Sequence, residues 1–197
     1  MTAKQVEFYF DYGSPYSYLA DSQLAALAQR TGAEIVYRPM LLGGVFKATG
    51  NQSPFQEICA AKRRYGALDM ARWVQHYGAP FADNPHFPIN TLPLMRTSFA
   101  AIQAGVFESF HAAIFPAFWA QQCNLGEPSV LLDILSKAGL DGEALVEAAS
   151  SPEVKQALRA ATESAVARGI FGAPTFFVHD EMFFGADHLP FVEKALL

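Results

Sequence analysis

The first alternating stretch, Val6-Glu7-Phe8-Tyr9-Phe10-Asp11, is rich in aromatics and predicts a strand. Tyr12-Gly13 breaks it, and Ser14-Pro15 opens a helix. Serine suits the cap because its oxygen accepts a free backbone N–H, and proline suits the first turn because its fixed φ is already helical. Tyr18, Leu19, Leu24, Leu27 and Ala28 form the apolar side of that helix, and Gly32 closes it. Glu34 to Met40 reads as a second strand, ended by Pro39. Strand, helix and strand make a βαβ unit with a parallel pair. Gly43-Gly44 and the run from Gly50 to Pro54 predict a loop.

A helix-rich stretch follows. Helices are expected over Pro54–Tyr77, Leu92–Ala104 and Val106–Gln121, the last kinked at Pro116. Two more start at Pro128-Ser129 and Asp141-Gly142. Another runs from Pro152 to Arg168, with Val154, Leu158, Ala161 and Ala165 on one face. Strand character returns at Thr175–His179 and Met182–Phe184, with Asp180-Glu181 as the turn of a hairpin. Gly185-Ala186-Asp187 opens a final helix over His188–Leu197. The order β-α-β, helical insert, β-β-α implies a four-stranded mixed sheet covered by helices. No internal repeat or low-complexity segment interrupts it.

Composition narrows the classes. The 197 residues are 51% hydrophobic and 17% charged, which is a globular balance. Fourteen Lys and Arg face nineteen Asp and Glu, a formal charge of -5. Nucleic acid is not an expected partner, because phosphate binding needs a clustered basic surface. The one dense run, Lys62-Arg63-Arg64, reads as a solvated helix face. Cys59 and Cys123 form no C-x-x-C pair and, with five scattered histidines, no metal set. Two buried free thiols are expected, with a single disulfide as the alternative. Glu7 and Asp11 interrupt the first apolar stretch, so it is no signal peptide, and no apolar run is long enough to span a bilayer. The chain reads as soluble and cytoplasmic. Asn51-Gln52-Ser53 matches a glycosylation acceptor, which means little in that compartment.

Three segments carry a resemblance: Phe8 to Ala20, which contains Ser14-Pro15-Tyr16-Ser17; Gly169 to Val178, continuing to Gly185-Ala186-Asp187; and Leu41 to Asn51. Together they resemble the 2-hydroxychromene-2-carboxylate isomerases and, more distantly, the kappa-class glutathione transferases. The resemblance implies an α/β thioredoxin-like fold with a large all-helical insertion, the DsbA-like arrangement. Residues 1–40 and 168–197 would form the thioredoxin-like part and 41–167 the insertion.

It also implies chemistry. Ser14-Pro15-Tyr16-Ser17 fills the place where dithiol relatives carry C-x-x-C. A hydroxyl cannot exchange disulfides, but it can donate to the thiolate of bound glutathione, aided by the partial positive charge of a helix N-terminus. Spacing alone favours Ser14 as a cap and nothing more, and it is the second segment that points to the functional role. Ala173-Pro174 would carry a cis bond, leaving the Ala173 backbone to pair with the cysteinyl unit of glutathione. Phe184, Gly185, Ala186 and Asp187 would hold its γ-glutamyl end. Ala186 stands where Ser or Asn is usual, and His188 where Arg is usual. Lys47, Asn51 and His86 are the residues implied to bind a small aromatic carboxylate substrate, with Phe87 and Asn90 beside His86. Lys62, Arg63, Arg64 and Arg72 are weaker candidates for the same anion, and Trp73 and Trp119 are expected in the core. The implied reaction is glutathione-dependent cis-trans isomerisation of 2-hydroxychromene-2-carboxylate, without a metal, by a homodimer in aromatic catabolism. A kappa-like transferase and a non-catalytic binding module are the alternatives.

Overall fold

The computed structural model describes residues 4–197, so the first three residues of the 1–40 segment lie outside it. Four strands form one sheet in the order β2-β1-β3-β4. β1 (Gln5–Phe10) runs parallel to β2 (Glu34–Pro39) and antiparallel to β3 (Thr175–Val178), which pairs with β4 (Glu181–Phe184). Between β1 and β2 lies α1 (Pro15–Thr31), capped by Ser14 and closed by Gly32 in the left-handed conformation. The helices after β2 are α2 (Leu42–Thr49), α3 (Ala60–Tyr77), α4 (Leu92–Gln103), α5 (Phe107–Trp119), α6 (Pro128–Lys137), α7 (Gly142–Ala148) and α8 (Pro152–Ala167). The last is α9 (Leu189–Leu196). Among the described residues, no helix is long and apolar enough to cross a membrane.

The period of two along β1 sorts its side chains onto two faces. Val6, Phe8 and Phe10 join Phe176, Val178 and residues of α1, α5 and α9 in the main core. Phe8 stacks on Phe10 and Phe176 at centroid separations of 5.1 and 5.3 Å. Tyr9 and Phe177 face the other way, onto Met40, Val45 and Ala165, and so hold α2 and α8 against the sheet. Trp119 is buried and donates from Nε1 to the Tyr12 carbonyl at 2.8 Å, while Trp73 is half-buried against the core. A polar thread crosses this core. The Tyr12 hydroxyl lies 2.9 Å from His111 Nδ1, and His111 Nε2 lies 2.9 Å from an Asp21 carboxylate oxygen. A neutral His111 with its proton on Nε2 satisfies both neighbours.

Five expectations are corrected. The segment after β2 is a helix, not a glycine loop. The Leu42 N–H is held by the Asp11 carboxylate at 2.9 Å, and Gly44 packs where a Cβ would come within 3.1 Å of Thr162 Cγ2. Tertiary packing outweighs the poor helix propensity of two glycines here. Second, Pro54 does not open one long helix. Pro54–Gln56 is a single 3-10 turn, and the chain restarts as α3 after the Glu57 carboxylate accepts the Cys59 N–H at 3.0 Å. Third, the hairpin turn is His179-Asp180, because Val178 pairs with Glu181. Fourth, Ala186–His188 forms a 3-10 turn before α9, so Asp187 is not the cap of that helix. Fifth, the free cysteines are not buried: Cys59 is exposed and Cys123 half-buried.

Candidate active site

The end of β1 and the start of α1 form one wall of a cavity of about 850 Å³. That volume lies within the range of ligand-binding clefts. The opposite walls come from α2, the Asn51–Ile58 segment, the Phe87–Leu92 segment and the two β3 flanks. Ser14, Ala173, Pro174, Phe184, Gly185, Ala186, Asp187 and Asn51 all line it. Eight of the ten residues singled out from the sequence are thus brought together from four chain segments.

At the centre is Ser14, which is buried. Its Oγ accepts the Ser17 N–H at 3.1 Å and donates to the Ala173 carbonyl at 3.2 Å. Ser14 is therefore the cap of α1, and it also lines the cavity. The Ala173-Pro174 bond is cis, as expected. Phe87-Pro88, on the far wall, is also cis and had no signal in the sequence. Ser17 is fully buried and does not line the cavity.

Below Ser14 lies a residue that the sequence reading left out. Asp11 is 1% exposed, yet it lines the cavity floor. Oδ1 accepts the Gly13 N–H at 2.9 Å. Oδ2 accepts the Leu42 N–H at 2.9 Å and the Thr91 hydroxyl at 3.0 Å. One carboxylate thereby joins the Ser14 turn, α2 and the entry to α4. Burial pushes its pKa up, and the three donated hydrogen bonds only partly oppose that. An acidic residue closing an apolar strand just before a capped helix was the available clue.

The wall formed by Phe184, Gly185, Ala186 and Asp187 is held from outside. The Tyr77 hydroxyl donates to the Ala186 carbonyl at 2.6 Å. Burial, then the charge of Asp187, pushes the Tyr77 phenol up to about 12, so it stays a donor. Gly185 has φ +105°, and a Cβ there would collide with the Asp187 carboxylate. The positive φ favours glycine, and a Cβ would also push the Asp187 carboxylate aside. Asp187 is half-exposed, with its Oδ1 3.3 Å from His188 Nδ1. Two aromatic pairs also line the cavity: Phe55 packs edge-on against Phe87 at 4.9 Å, and Phe171 lies tilted against Phe184 at 4.5 Å. Phe55 and Ile58 are largely exposed at its rim.

Three anion-binding candidates are placed differently. Lys47 is absent from this cavity and lines a second one. Because 42–49 is helical, successive residues rotate by about 100°. Leu42, Gly43 and Phe46 face the Ser14 cavity, while Gly44, Lys47 and Ala48 face the other. His86 is exposed and outside the lining, since Asn84 Oδ1 accepts its backbone N–H at 2.9 Å in a turn that directs Phe87 inward instead. Asn51 is in place, but its Nδ2 donates to the Phe171 carbonyl at 2.8 Å. Lys62 reaches the cavity and pairs with Glu57 at 2.7 Å, whereas Arg63, Arg64 and Arg72 do not line it. Among the described residues, no group of three or more His, Cys, Asp or Glu is placed to hold a metal.

The fold and site define a thioredoxin-type protein whose helix start carries Ser14 and Ser17 and no cysteine, with Ser14 the one of the two that lines the cavity. Comparison with known proteins agrees: the family model of the DSBA-like thioredoxin domain matches residues 5–197. A 2-hydroxychromene-2-carboxylate isomerase of Sphingobium xenophagum is 35% identical over 197 residues, covering 98% of both chains. One of Pseudomonas putida is 34% identical over 196 residues, covering 97% of this chain and 93% of the relative. Human glutathione S-transferase kappa 1 is 28% identical, covering 98% and 91%. A solved 2-hydroxychromene-2-carboxylate isomerase superposes with a TM-score of 0.86 at 31% identity, covering 98% of this chain and 94% of that one. The chain belongs to the DSBA-like thioredoxin family and, within it, to the family of the 2-hydroxychromene-2-carboxylate isomerases.

Proposed function

We propose that this protein is a glutathione-dependent isomerase that converts 2-hydroxychromene-2-carboxylate, or a closely related aromatic hemiketal acid, to the trans-benzylidenepyruvate. The observation that carries the reading is the Ser14 hydroxyl bonded to the Ala173 carbonyl across the cavity, at the start of α1. Both partners are groups that a bound peptide thiol would claim. An extended peptide beside Ala173 donates its own N–H to that carbonyl. The Ser14 proton is then released and can turn toward sulfur. The residues fit glutathione in three further ways. The cavity has the volume. Asp187 offers a half-exposed carboxylate to an ammonium. Lys62 stands at the rim as a cation. When bound, glutathione supplies a thiolate that adds reversibly to a conjugated carbon, so that the former double bond can rotate before the sulfur leaves.

The chain's own contribution is positional and electrostatic. Ser14 and the positive end of α1 stabilise negative charge on sulfur; Pro15 has no N–H and Ser14 Oγ takes that of Ser17, which leaves the Tyr16 N–H as the first-turn donor. Asp11 holds the Ser14 turn and α2 at a fixed separation. The aromatic lining from Phe55, Phe87, Phe171 and Phe184 excludes water and suits a flat, apolar substrate. With Lys47 turned away, Lys62 and Asn51 are the groups on hand for a substrate carboxylate. The working environment we propose is cytoplasmic, with glutathione as the partner and a homodimer as the assembly.

The reaction is tested by following 2-hydroxychromene-2-carboxylate absorbance with and without glutathione. Glutathione-dependent conversion to the trans product, with no conjugate accumulating, supports the reading. Accumulation of a stable conjugate would instead support a kappa-like transferase, which the 28% identical human relative keeps in view. Ser14→Ala is expected to lower turnover by about 100-fold, as loss of one charge-stabilising donor does elsewhere. Activity within a few-fold of wild type would refute the role of Ser14.

A further inference from the structure

A second cavity, of about 810 Å³, lies on the outer face of α2, between that helix and α8. It is separate from the Ser14 cavity except that Leu41 and Leu92 contribute to both. The chain as a whole is acidic, yet the charges here are Lys47, Arg96, Lys155 and Arg159 against the single carboxylate of Glu163. Glu163 is already committed to Arg159, at 2.8 Å. Three cations are therefore left facing a shared space. The floor between them is apolar, formed by Leu92, Leu158 and Val166.

Arg96 is the informative residue. Its Nε is shut off from solvent and has no hydrogen-bond partner. With Nε enclosed, the terminal N–H groups of this guanidinium are the donors an incoming acceptor can reach, and Arg96 has no ion-pair partner among the described residues. The planar guanidinium presents its donors as a fork that matches a carboxylate. An apolar floor beneath a cationic rim asks for a ligand with both parts. We infer that this cavity is a second binding site, for an amphiphilic carboxylate with an aryl or short acyl body. The acid group sits against Arg96, with Lys155 and Lys47 beside it, and the body rests on Leu158 and Val166. The site stands independently of the chemistry proposed at Ser14, since the two cavities lie on opposite faces of α2. It also gives Lys47 a partner that its position on the helix denies it in the first cavity.

The test is a heteronuclear magnetic resonance titration of the whole protein with 1-naphthoate. Amide shifts are expected at Gly44, Lys47 and Ala48 of α2 and at Leu158, Thr162 and Val166 of α8. Arg96→Met should weaken that binding by about tenfold or more, the usual effect of removing one charge-assisted hydrogen bond. Lys155 is exposed, so Lys155→Met is the second variant, with a several-fold loss expected whether or not Arg96→Met folds. The neutral isostere 1-naphthamide should not shift these amides. The inference is overturned if shifts are confined to the Ser14, Ala173 and Asp187 region. Unchanged affinity in Lys155→Met, naphthamide binding as well as naphthoate, or inorganic phosphate binding as tightly would overturn it too.

Discussion

Replacing Asp11 by asparagine exchanges one carboxylate oxygen for an NH2 group and tests how the cavity floor is held. The carboxylate accepts three hydrogen bonds in a place that is 1% exposed. Asparagine keeps one acceptor oxygen and gains an NH2 that can only donate. If the oxygen stays with Gly13, the NH2 meets the Leu42 N–H and the Thr91 hydroxyl. Thr91 can rotate and accept. Leu42 cannot, and its buried N–H loses its acceptor. Leaving one such donor unpaired costs about 1–3 kcal/mol. The alternative flip orphans Gly13 instead, at a similar cost. The expected result is a lower urea midpoint with an unchanged slope, equivalent to about 1–3 kcal/mol at pH 7. The pH dependence gives a second reading. Burial raises the Asp11 pKa above its ordinary 3.8. Ionisation thus favours the unfolded chain first, and wild-type stability drawn from the neutral acid is lost as pH rises through the folded pKa. The deficit of Asp11→Asn should therefore be widest in acid and narrow as pH rises above about 4. A variant as stable as wild type at every pH would refute the assignment of these three bonds to Asp11.

Two further outcomes are expected. Gly185→Ala forces a Cβ into the Asp187 carboxylate at a φ of +105°, so glutathione affinity measured by calorimetry should fall several-fold; unchanged affinity would remove Gly185 and Asp187 from the site. Burial pushes the Glu7 pKa up, but its bonds to Arg168 and Arg38 win and hold it below its ordinary 4.5. Glu7 thus contributes stability above about pH 4.5 that is lost as pH falls through its folded value. Wild type should lose more stability than Glu7→Gln between about pH 5 and pH 3 in urea titrations, and parallel losses would contradict the ion-pair account.

Local signals carried the parts of this molecule where local chemistry decides. The alternation from Val6 to Phe10 was readable because each face of β1 meets its own apolar layer. Ser14-Pro15 was readable because a cap is chosen by the free N–H groups of one helical turn. The stretch from Leu42 to Thr49 was not. Its two glycines argue for a loop, and the helix exists because Asp11 and Thr162 hold its start from outside and its own Val45 packs against Tyr9, Met40 and Ala165. The placement of Lys47 was lost with it, because a helix turns neighbouring residues onto different faces. The roles of Asp11 and His111 were harder to read for a related reason: beyond Gly13, the partners of Asp11 lie 31 and 80 residues away, and those of His111 lie 90 and 99 away. Motif resemblance recovered Ala173-Pro174 and Gly185-Ala186-Asp187, whose spacing from Ser14 no periodicity could have joined.

The central claim is that Ser14 and the start of α1 hold a peptide thiol in its charged form. Ultraviolet difference absorbance during a glutathione titration near neutral pH reports thiolate directly, in wild type and Ser14→Ala side by side. A saturable thiolate signal in wild type, strongly reduced in the variant at equal occupancy, is the predicted result. Glutathione that binds wild type with no thiolate signal, or with a signal that Ser14→Ala leaves intact, would contradict it.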